Sequence, residues 1–166
     1  MTSDVLPVYV FNANSNVKDW QVVDDVVMGG QSQGQFYISD DGNGIFQGDV
    51  SLKNNGGFSS LRHRLKTTRV EGYSKIVLKI KGDGKRYQFR VKSSAYDRHS
   101  YINYFQTDGS WQNITINLSD MYPTFRGMKL NMPNYQGRQL EEIAFLIANK
   151  REEHFRLEIS EISLLK

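Results

Sequence analysis

The chain has 166 residues, with 21 Lys+Arg against 18 Asp+Glu and no cysteine. That length fits a single domain, 1–166, and the missing cysteine excludes disulfide scaffolds, thiolate metal sites and cysteine nucleophiles. The net charge of +3 comes without any run of more than two adjacent basic residues, which argues against a dedicated nucleic-acid binder.

Val8–Phe11 is a short apolar run, followed by the polar segment Asn12 to Asn16. No basic leader precedes it, and no stretch approaches the ~18 apolar residues of a membrane span, so the expected location is cytoplasmic. Gln35–Ser39 alternates, with Phe36 and Ile38 on one face and Tyr37 on the other. Ile45–Leu52 and Phe58–Leu65 follow as strands. Ser74–Lys81 sets Ile76, Leu78 and Ile80 on one face. Arg86–Lys92 is the cleanest strand: Tyr87, Phe89 and Val91 point one way, and Arg86, Gln88, Arg90 and Lys92 the other. Gly82-Asp83-Gly84-Lys85 reads as a hairpin turn between those two strands. Asp108-Gly109 reads as another, joining Tyr101–Thr107 to Trp111–Leu118. Ile143–Ala148, Phe155–Ile159 and Ile162–Leu165 complete the strands. Short helical turns are expected at Ser119 to Tyr122, stopped by Pro123, and around Leu140 to Glu142. Roughly ten strands with turns between them read as an all-β sandwich or barrel. The long connections Asn12–Trp20 and Pro123–Gly137 favour a jelly roll.

Four groups of residues bear on chemistry. Asp24-Asp25, followed by Met28-Gly29-Gly30, either caps a turn or meets a cation or ligand hydroxyl. Asn54-Asn55-Gly56-Gly57-Phe58-Ser59-Ser60-Leu61-Arg62 is either a tight turn feeding a strand or an anion cradle; it lacks the Lys-Ser/Thr of a phosphate-binding loop. Arg86, Gln88, Arg90 and Lys92 form either a solvated strand face or a set of donors for a carboxylate or phosphate. Their cations repel one another unless an anionic partner is near. Trp111 is either core or an aromatic platform for a sugar. The histidines, His63, His99 and His154, are in no metal-ligand spacing. No Gly-x-Ser-x-Gly, His-Glu-x-x-His or Gly-x-Gly-x-x-Gly occurs, so neither a catalytic set, a metal site nor a cofactor is expected.

The order Trp20…Asp24-Asp25-Val26-Val27-Met28-Gly29-Gly30, Phe46-Gln47-Gly48-Asp49-Val50, Gly56-Gly57-Phe58…Arg62, Lys81-Gly82-Asp83-Gly84-Lys85-Arg86-Tyr87, Trp111-Gln112 and Phe125-Arg126-Gly127 resembles the domain of the complex I intermediate-associated proteins, from about Val8 to Ile162. The resemblance implies a galactose-binding-like jelly roll. It also implies a non-catalytic assembly factor that binds a protein client, such as a respiratory-complex intermediate, and is at most peripheral to a membrane. On that basis the candidate ligand- or partner-binding residues are Asp24, Asp25, Arg62, Asp83, Arg86, Arg90, Trp111 and Arg126. Phe58, Tyr87 and Trp111 are expected in the core. Asp24, Asp25 or Asp83 is expected opposite Arg62, Arg86 or Arg126 in one charged network. The alternative is a carbohydrate- or small-ligand-binding module, by analogy of fold.

Overall fold

The computed structural model describes residues 4–166. Its strands are β1 Val5–Val10, β2 Gln21–Asp24, β3 Gln33–Ile38, β4 Gly44–Val50, β5 Ser59–Arg69, β6 Lys75–Lys81, β7 Arg86–Lys92, β8 Ser100–Gln106, β9 Trp111–Asn117, β10 Tyr122–Phe125, β11 Met128–Lys129, β12 Gln139–Ile147 and β13 Glu153–Leu165. One sheet runs β3-β4-β13-β6-β9, with β1 also paired to β13. The other runs β11-β10-β8-β7-β12-β5-β2. Every pairing is antiparallel. This is the all-β sandwich jelly roll that the strand spacing predicts.

Alternation decides which side chains fill the space between the sheets. Ile76, Leu78 and Ile80 of β6 face Tyr87, Phe89 and Val91 of β7 from the opposite sheet, and all six are at most 1% exposed. Aromatic rings link the layers. Tyr87 meets Phe155 of β13, in the opposite sheet, at 6.5 Å between centroids, and within the seven-stranded sheet Phe89 meets its cross-strand partner Phe145 of β12 edge-on at 5.3 Å. Burying one such side chain contributes about 1.5–3 kcal/mol.

Several local expectations are corrected. Gly82–Lys85 is not a hairpin, because β6 pairs with β9 and β13 while β7 pairs with β8 and β12. The segment carries the chain from one sheet to the other, and so does the Asp108-Gly109 turn between β8 and β9. A turn signal marks a reversal of direction, not the sheet that takes the next strand. The two crossovers lie side by side: Thr107 Oγ1 donates to the Lys85 carbonyl at 2.7 Å and accepts from the Gly84 N–H at 3.0 Å. Leu140 to Glu142 is strand with a register shift, not a helical turn. Phe155–Ile159 and Ile162–Leu165 belong to one strand, β13, irregular between Ile159 and Glu161. The expected helix before Pro123 shrinks to a 3-10 turn, Leu118–Asp120. Pro123 itself stands within β10.

Phe145→Ala opens a hole between the two sheets and is expected to lower the unfolding free energy by about 3–5 kcal/mol in urea titrations. Thr115→Ala, on an exposed position of β9, is expected to change it by less than about 0.5 kcal/mol.

Candidate functional site

The motif glycines converge on a buried carboxylate. β2 ends in a 3-10 turn, Asp25–Met28, and Asp25 is 0% exposed. Its Oδ1 accepts the Ser32 N–H at 2.9 Å. Its Oδ2 accepts the Ser32 hydroxyl at 2.6 Å and the N–H groups of Gly57 at 2.6 Å and Phe58 at 3.2 Å. Burial pushes the carboxyl up, and these four donors outweigh it, so Asp25 titrates below its ordinary 3.8. Gly30 and Gly56 leave room for the carboxylate. A Cβ at Gly30 would stand 2.4 Å from Asp25 Cγ, and one at Gly56 2.5 Å from Oδ2.

The other two carboxylates are also engaged locally. Asp24 accepts the Gly34 N–H at 2.9 Å and the Ser59 hydroxyl at 2.5 Å. Asp83 accepts the Tyr87 hydroxyl at 2.9 Å and the Arg156 N–H at 2.8 Å, and pairs with Lys85 Nζ at 3.3 Å. The expected network with Arg62, Arg86 or Arg126 therefore does not form among the described residues. Backbone N–H groups, hydroxyls and, at Asp83, the Lys85 ammonium hold these oxygens instead.

The arginines lie elsewhere, on the outer face of the seven-stranded sheet. One row across the strands reads Gln21, Arg62, Ala144, Arg90, Ile102, Tyr122. The next reads Val23, Ser60, Leu146, Gln88, Tyr104. On the other side of the first row stand Arg64, Glu142 and Lys92. Ala144, Leu146, Ile102 and Gln88 face outward yet are at most 8% exposed, so longer neighbours roof them over. Arg86 lies over the Tyr104 ring at 4.2 Å, and Gln88 Nε2 donates to the Tyr104 hydroxyl at 3.3 Å. Lys92 Nζ donates to the Asp97 carbonyl at 2.7 Å.

Arg90 differs from these neighbours. Its Nε is buried and has no hydrogen-bond partner. Burial, together with the nearby charge of Arg62, brings its guanidinium down to about 10, with Glu142 acting in the opposite direction. The ion pairs among the described residues involve neither Arg62 nor Arg90.

Two candidates sit apart from this face. Trp111 opens β9, an edge strand of the six-stranded sheet, and is 43% exposed. It is not core, because Ile114 and Ile116 take the inward positions of β9. Trp20 is the buried tryptophan, stacked on Phe11 and His63. Arg126 occupies the turn between β10 and β11 at φ +50°, its guanidinium over the Phe125 ring at 5.3 Å. Tyr87 is core as expected, while Phe58 is half-buried. Sequence reading missed Arg64, Tyr104, Glu142 and Ala144. The alternation Arg62-His63-Arg64-Leu65-Lys66 was the available signal for the first of them. Among the described residues no group of three His, Asp or Glu is placed to hold a metal, and no helix is long and apolar enough to cross a membrane.

The profile of the complex I intermediate-associated protein 30 (CIA30) family matches residues 9–159. Among curated proteins none matches the sequence. Solved structures share the fold. The family 11 carbohydrate-binding module of a cellulosomal cellulase of Clostridium thermocellum superposes with a TM-score of 0.66 at 16% identity, over 95% of this chain and 93% of that one. A family 29 carbohydrate-binding module gives 0.56 at 10% identity, over 98% and 91%. An agarase gives 0.61 at 10% identity, over 99% of this chain and 25% of its own.

Asp25→Ala strands several buried donors, each costing about 1–3 kcal/mol when unmet, so the expected loss of stability is about 3 kcal/mol or more. Because the folded carboxyl titrates below 3.8, its stabilisation is present above that value and lost as the pH falls toward the folded one. Urea unfolding across an acid pH series should therefore show a flatter acid limb in Asp25→Asn than in the wild type.

Proposed function

Because the chain belongs to the complex I intermediate-associated protein 30 family, we propose that it is a non-catalytic binding domain that holds a protein client on the outer face of its seven-stranded sheet. The carrying observation is the row Arg62–Ala144–Arg90, two unpaired arginines over a buried apolar floor. Such a face offers broad contact with charged anchors, as protein interfaces do. In this reading Asp24, Asp25 and Asp83 build the scaffold, Arg62, Arg86 and Arg90 touch the client, and Trp111 and Arg126 belong to separate surfaces. The family supports a respiratory-complex intermediate as the client, and the location in this reading is cytoplasmic, at most peripheral to a membrane. No cofactor enters.

Affinity capture from the native host, read by mass spectrometry, tests this. Complex I subunits are expected with the wild type. Arg62→Ala with Arg86→Ala should lose them while the melting temperature holds. Retention of the same subunits by the double variant overturns the reading, and so does unfolding of that variant.

Tyr104 and Tyr122, on the same face, favour a second reading: a carbohydrate-binding module, as in the structural neighbours. Calorimetry with the mixed-linked β-1,3-1,4 tetrasaccharide bound by one of those modules separates the two. The client reading expects no heat at millimolar ligand.

A further inference from the structure

We propose that Arg62 and Arg90 together form a seat for a carboxylate, supplied by an acidic side chain of a protein segment laid across Ala144. The inference rests on the client-binding reading and names the chemistry of the contact. Arg62 and Arg90 are the direct cross-strand neighbours of Ala144, one on each side. Two strand spacings separate their backbones, roughly 10 Å. Their side chains are long and Ala144 is short and covered, so the two arginines stand over its methyl group from either side.

Two cations held this close repel, and burial of the Arg90 Nε limits how far solvent screens them. The Glu142 charge reaches Arg90, yet among the described residues none of the protein's own anions forms an ion pair with Arg62 or Arg90. Glu142 lies one row away, opposite Arg64 and Lys92. Glu141 is engaged with Thr67 and the Ala95 N–H. Asp97 sits by Lys92 and Ser94. The Arg90 Nε–H remains a buried donor without an acceptor. An incoming carboxylate would accept from it and neutralise the repulsion in one step, and guanidinium donors suit a planar carboxylate in two-point contact. Tyr104, 37% exposed in the neighbouring row of the same face, supplies apolar footing for the segment's other side chains. A peptide presents both features, whereas a neutral sugar presents no charge to answer the pair.

The test uses the whole chain and hexaglutamate as probe, with oligogalacturonate and a hexathymidine oligonucleotide as comparison anions. Hexaglutamate is expected to bind, more weakly as salt rises. Arg62→Gln and Arg90→Gln should each weaken it at least about tenfold, the scale of losing one charged hydrogen bond. Ala144→Glu places a carboxylate in the seat from within. It should raise the melting temperature and abolish hexaglutamate binding, whereas Ala144→Gln should not raise it. Equal hexaglutamate affinity in the wild type, Arg62→Gln and Arg90→Gln overturns the seat. Binding of oligogalacturonate or the oligonucleotide in place of hexaglutamate overturns the peptide assignment. If hexaglutamate fails while Arg62→Ala with Arg86→Ala still loses the complex I subunits, the seat is wrong and the client-binding face stands.

Discussion

One buried carboxylate fixes where the two sheets meet. Asp25 gathers hydrogen bonds from Ser32, just before β3, and from Gly57 and Phe58, just before β5. β3 belongs to one sheet and β5 to the other, so the bonds join the layers at this end of the sandwich. Asp24 adds a second tie, from β2 to Gly34 and Ser59. The consequence reaches past the corner. Because alternate residues of a strand face opposite ways, a slip of one residue in β5 would turn Leu61 outward and Arg62 into the core. Holding Gly57, Phe58 and Ser59 in place holds the register of everything after them, so the geometry of the arginine face begins at an aspartate that touches no arginine.

That division of labour explains why the carboxylates and the guanidiniums do not meet. A buried aspartate supplied with several N–H and O–H donors is satisfied without a cation. A salt bridge to the arginines would have left those backbone donors unmet. Arg62 and Arg90 are consequently free of ion-pair partners on a face whose floor is apolar and covered. Placing like charges side by side weakens a fold, and departures of this kind from local consistency are concentrated where a protein meets its ligand.

Much of this was legible in the chain. The period-two patterns of β6 and β7 gave their inward residues, and the row Arg86, Gln88, Arg90, Lys92 lies on the outer face as its alternation requires. The glycines at 29–30 and 56–57 stood out as turns. Their common purpose did not, because the carboxylate they admit lies next to one pair and far in sequence from the other. β2, β10 and β11 are two to four residues long, too short for a periodic signal, and β10 contains Pro123. The crossovers at Gly82–Lys85 and Asp108–Gly109 carry hairpin chemistry, yet their strands part because each finds longer partners in a different sheet. The two tryptophans divide for a positional reason: Trp20 precedes β2 and is enclosed by Phe11 and His63, whereas Trp111 stands at the start of an edge strand.

The likeness to carbohydrate-binding modules and the family match bear on different levels. A shared jelly roll at 16% identity gives the same platform, a broad sheet face held rigid by the core beneath it. What a platform recognises is decided by the side chains that stand on it. Here the central row carries arginines where an uncharged ligand would be served by stacked rings, and the tyrosines, Tyr104 and Tyr122, lie toward one side of it, with Tyr104 already covered by Arg86. A total charge of +3 conceals this, because Asp24, Asp25 and Asp83 are spent inside the scaffold while Arg62, Arg86 and Arg90 are spent on one surface. Net charge is a sum over the chain, and recognition depends on how that sum is distributed over the faces of the sheet.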